Sequence, residues 1–83
     1  MSADLDAETR PQLERVHETH THLETALHVL ATEAKAAARR TGGKRPKLVD
    51  LTAVIAAARA AERAHDEHYI AHTDYDTARG ADL

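Results

Sequence analysis

The stretch that decides the fold is LERVHETHTHLETALHVLATEAKAA, residues 13–37. Within it Leu13, Val16, His20, Leu23, Leu27, Leu30, Ala34 and Ala37 follow one another in alternating steps of three and four. That is an unbroken heptad pattern, the signature of a helix lying along a nearly parallel neighbour. Upstream, Thr9 and Gln12 stand at capping-box spacing, with Pro11 in a first turn where its missing N–H costs nothing. Downstream, Gly42-Gly43 supplies a stop, and Arg39 and Arg40 suit the negative end of the helix dipole. The spacing therefore predicts a first helix over residues 10–41.

Gly42 to Pro46 is the only strong punctuation in the chain. A second helix follows, starting either at Pro46 or at Leu51 with Asp50 as N-cap, and running over about 51–76. It carries Leu51, Val54 or Ile55, Ala58, Ala61, His65, His68 or Tyr69, His72 and Tyr75 along one stripe. Ala53, Ala57, Ala60, Ala64 and Ala71 form a second stripe beside it. Two apolar stripes on one helix call for two neighbours, one of them from outside the chain. The expected fold is all-α: an antiparallel two-helix hairpin over residues 9–76, joined by a basic turn at 42–50 and dimerising into a four-helix bundle. Residues 1–8 and 77–83 are expected to be flexible ends.

Composition sharpens the need for a partner. Eighty-three residues make one small domain with a modest core. Phe, Trp and Cys are absent, and the 18 alanines bury little area each. A chain of this size without cysteine needs a metal or a second chain to hold it together. The N-terminus has no basic region followed by an apolar stretch, and the longest mostly apolar run, Leu51 to Ala58, is far too short to span a bilayer. A cytoplasmic, membrane-free protein is the expectation.

Seven histidines fall in two clusters, His17, His20, His22 and His28 on the first helix and His65, His68 and His72 on the second. In a hairpin turning near residue 45, facing positions sum to about 90, so the clusters meet at the open end. His17, His20, Glu24, Glu62, His65 and His72 form the candidate metal set. Imidazole and carboxylate donors in that mixture suit zinc, nickel, copper(II) or iron, and are too nitrogen-rich for calcium or magnesium. Glu14-Arg-Val-His17 and Glu62-Arg-Ala-His65 also have the Glu-x-x-His spacing of di-iron bundles. In that respect alone the chain looks like the ferritin-type carboxylate proteins. The similarity covers four residues, and nothing else in the chain supports that family. Without a metal, the same imidazoles make a pH-sensitive seam, because protonating all seven moves the net charge from −3 to +4.

Arg39, Arg40, Lys44, Arg45 and Lys47 form a basic turn that would meet phosphates in a nucleic-acid-binding reading. The rest of the chain sums to −8, which argues against that role. Catalysis is disfavoured as well. Ser2 is the only serine and no glycine-rich elbow presents it, which leaves open only a metal-dependent oxidase or hydrolase. The expected function is a non-catalytic interaction or regulatory module acting as a homodimer with a histidine-lined seam. The alternatives are a transition-metal-binding bundle, or a surface that receives a helical segment of another protein.

Overall fold

A computed structural model describes residues 2–80, with side chains from residue 5 to residue 80. Two helices, α1 (Ser2–Thr41) and α2 (Leu48–Arg79), account for 91% of it, and no strand occurs among the described residues. The turn reverses the chain through Gly42 and Gly43, whose φ angles of 57° and 82° lie in the left-handed region. The Lys44 amide donates to the Thr41 carbonyl at 2.9 Å to close the turn. The hairpin is closed and antiparallel. Thr19 meets His68, His22 meets Glu67, and Asp6 accepts from Arg79 at the open end. No described helix is long and apolar enough to cross a membrane.

Both helices are longer than the spacing predicts. α1 begins at Ser2, eight residues before the expected start. Thr9 does not cap it; its hydroxyl turns back to the Leu5 carbonyl at 2.8 Å, as a mid-helix threonine does. Pro11 therefore lies inside the helix, not at its start. α2 begins at Leu48 because Asp50 acts three residues inside the cap, where its carboxylate accepts from the Lys47 amide at 3.0 Å. Arg40 donates to the Asp50 carbonyl at 3.1 Å and ties the end of α1 to the start of α2. The far end stops at Gly80, left-handed with φ 73°, whose amide donates to the Asp76 and Thr77 carbonyls. The flexible ends expected from sequence include residues 1 and 81–83, which lie outside the described residues.

The interior is small and made mostly of alanine. Its buried apolar residues are Val16, Ala26, Ala37, Ala57, Ala61, Ala64 and Ala71, with Leu23 and Leu30 packed partly against Ala26, Ala61 and Ala64. On α1 the inward positions are Thr9, Gln12, Val16, Thr19, Leu23, Ala26, Leu30, Glu33 and Ala37, a heptad stripe one step round from the expected one. Val16, Leu23, Leu30 and Ala37 belong to both stripes. Thr19 and Ala26 replace His20 and Leu27, leaving Leu27 half exposed at 50% and Leu13 at 37%. On α2 the stripe Ala57, Ala61, Ala64, His68, Ala71, Tyr75 and Ala78 faces α1. Of the expected alanine stripe, Ala57, Ala64 and Ala71 are buried, Ala60 is half-buried and Ala53 is exposed, and Ala61 of the other stripe is buried with them. Small side chains at the contact let the helix axes approach closely, while Leu13, Leu27, Ile55 and Tyr69 turn outward.

Candidate functional site

That rotation creates a distinctive surface. On the side of the hairpin carrying His20 and His72, the positions flanking the interior are Leu13, His20, Leu27 and Ala34 of α1, and Leu51, Ala58, His65 and His72 of α2. None of these eight is Asp, Glu, Lys or Arg. The corresponding positions on the opposite side, Arg15, His22, Val29, Ala36, Ala53, Ala60, Glu67 and Asp74, include three formal charges. Side chains from both helices meet on the uncharged side. Near the turn, Ala34 and Ala38 line a cavity of about 240 Å³ with Pro46, Leu51 and Val54. Near the middle of the hairpin, imidazoles from the two helices meet. Ile55 and Tyr69 stand at its rim, 37% and 68% exposed.

The imidazole cluster is built from three rings. The His68 and His20 ring centroids are 5.4 Å apart, and His72 meets His68 edge-on at 4.6 Å. His68 and His72 are four residues apart, so they stack on one helical face. His20 comes across from α1 at the level the antiparallel register dictates. Each of two rings has one nitrogen held by an oxygen. Thr19 Oγ1 lies 2.9 Å from the Arg15 carbonyl and 3.1 Å from the Val16 carbonyl, so its single hydrogen goes to the helix backbone. It then accepts from His68 Nδ1 at 2.9 Å, and His68 Nε2 keeps its lone pair. His20 Nε2 is held in the same way by the Glu24 carboxylate one turn along α1. Partial burial pushes the His68 pKa below the usual imidazole value, and the neighbouring charges of His72, His20 and His65 push it the same way.

The structure thus gathers His20, Glu24 and His72 of the expected metal set, and adds His68, which that set omits. His17, Glu62 and His65 make no hydrogen bond or ring contact with the cluster; His65 Nδ1 lies 3.3 Å from its neighbour Asp66. The clue to His68 was present in sequence, because it continues the stripe of Ala57, Ala61, Ala64 and Ala71 at heptad spacing. His22, off the expected seam, reaches Glu67 across the helices at 3.4 Å. Among the described residues no three His, Asp or Glu side chains stand arranged to hold a metal ion. The basic residues Arg39, Arg40, Lys44, Arg45 and Lys47 are all exposed at the closed end, with Arg40 engaged on Asp50.

Compared with protein-family models, with curated proteins and with solved structures, the chain shows no significant match.

Proposed function

We propose that this protein is a non-catalytic interaction module that works as a homodimer, two hairpins joining into a four-helix bundle through their uncharged faces. The observation that carries the proposal is the run of eight flanking positions without a formal charge, with Leu13, Leu27 and Ile55 left substantially exposed beside an interior made mostly of alanine. Apolar residues at these flanking positions are what a bundle helix needs when it has two neighbours instead of one.

A second copy is the occupant that fits. The hairpin is 62 Å long and at least 14 Å across, so one face offers on the order of 900 Å², above the ~800 Å² per partner of a standard interface. Charge favours a two-fold arrangement with the hairpins head to tail. The turn carries five positive residues, and Asp6, Glu8, Asp74 and Asp76 gather at the open end, so each basic turn then lies beside the partner's acidic end. With His20, His65 and His72 in the contact, protonation places charge in a closed interface and loosens it.

Sedimentation of untagged protein at pH 7.5 tests this. The expected mass is that of a dimer, and Leu27→Lys, which puts a charge mid-face without touching the interior, is expected to give a monomer. A wild-type chain that stays monomeric while fully helical would overturn the proposal, and a monomer that pairs only when a foreign amphipathic helix is supplied would assign the face to a heterologous partner instead.

A further inference from the structure

We propose that His20, His68 and His72 form a three-imidazole site for a late first-row divalent cation of the zinc and nickel class, with Thr19 and Glu24 as its supporting shell. The proposal stands on the cluster within one chain and does not depend on dimerisation. Three features carry it. The first is the pair at positions 68 and 72, because two histidines four apart on one helical face can chelate a single ion. The second is His20, delivered from the other helix into ring contact with His68. The third is the way two rings are held. A metal-ligating histidine almost always gives its second nitrogen to an oxygen, which sets tautomer and orientation. Here Thr19 takes His68 Nδ1 and Glu24 takes His20 Nε2, leaving His68 Nε2 and His20 Nδ1 as the free donors.

The rings pack against one another instead of aiming at one point, so binding needs a side-chain adjustment. His72 and His20 are exposed and can make it. His68, the half-buried and best-held ring, is the anchor. Three nitrogen donors leave the remaining coordination positions to water.

Titration of the untagged full chain with nickel(II) chloride at pH 7.5, followed calorimetrically, tests the site, and His72→Gln and His28→Gln are compared. Both substitutions are at exposed helix positions and their helicity is checked by circular dichroism. One ion per chain is expected, with affinity about tenfold or more weaker for His72→Gln and unchanged for His28→Gln. Cobalt(II) absorption provides a second measurement, with a ligand-field spectrum that changes in His68→Gln and His72→Gln but not in His28→Gln. No binding, or equal weakening by the His28 and His72 substitutions, would overturn the proposal, since either result reduces the cluster to ordinary surface histidines.

Discussion

At His68, burial and neighbouring charge act in the same direction. The ring faces Thr19 and His20 from α1, and His65 and His72 on its own helix, and the nearest carboxylate of the cluster, Glu24, is engaged on His20. A folded-state pKa below the unfolded value means that the native state binds the proton less well. The contribution of His68 is therefore complete above pH 6.5 and lost as pH falls through the range below it. Thermal melts are expected to show a lower midpoint at pH 5.5 than at pH 7.5, with a shallower dependence in His68→Gln; identical slopes in the two proteins would contradict this. The opposite kind of site lies four residues away. Ala64 is 1% exposed at the centre of the interior, and Ala64→Leu has nowhere to put the added carbons without forcing the helices apart. A loss of about 1–3 kcal/mol in a urea unfolding measurement is expected.

At the scale of the elements, the two helices and the glycine punctuation between them were legible in the sequence, because periodicity and punctuation are local properties, whereas the closing of the hairpin that brings Thr19 to His68 is a long-range contact that they do not fix. The interior face was harder to read. On α1 the stripes through Leu13, His20 and Leu27 and through Gln12, Thr19 and Ala26 share Val16, Leu23 and Leu30, and their centres differ by only about 50° round the helix. Hydrophobicity favours the first. Packing selects the second, because the alanine stripe of α2 lets the helices close only against small partners such as Thr19 and Ala26. This is also why His68 was missed and His65 counted: turning α2 by half a step exchanges them. In the turn, Gly43 has φ 82° with nothing within 4 Å of where a Cβ would stand, so Gly43→Ala carries a pure backbone penalty. Chemical denaturation is expected to show a loss of about 1–2 kcal/mol with the helices otherwise intact.

At the scale of the whole molecule, a rod 62 Å long with an interior mostly of alanine leaves Leu13, Leu27 and Ile55 substantially exposed along the side whose eight flanking positions carry no formal charge. If that side is closed by a second copy, folding and association are one equilibrium and stability depends on protomer concentration. The melting midpoint is expected to rise with concentration over a hundredfold range, and to stop doing so in Leu27→Lys. A midpoint independent of concentration would mean that the single hairpin is sufficient. High salt is expected to weaken the association, since head-to-tail packing sets exposed opposite charges side by side and salt screens them.

By itself the sequence determined two helices punctuated at Gly42-Gly43, with histidines from both at facing levels if the chain folds back there; that the hairpin closes was decided by the tertiary structure. Helical period, glycine punctuation and hairpin arithmetic need no knowledge of what touches what. Only the tertiary structure decided which stripe is buried, and with it the membership of the histidine cluster, the oxygens that hold its rings and the uncharged face left outside. The physical reason is that interiors are chosen by closeness of packing between two surfaces. A stripe of leucine and histidine on one helix ranks higher in hydrophobicity, yet it cannot approach a wall of alanines as closely as threonine and alanine can.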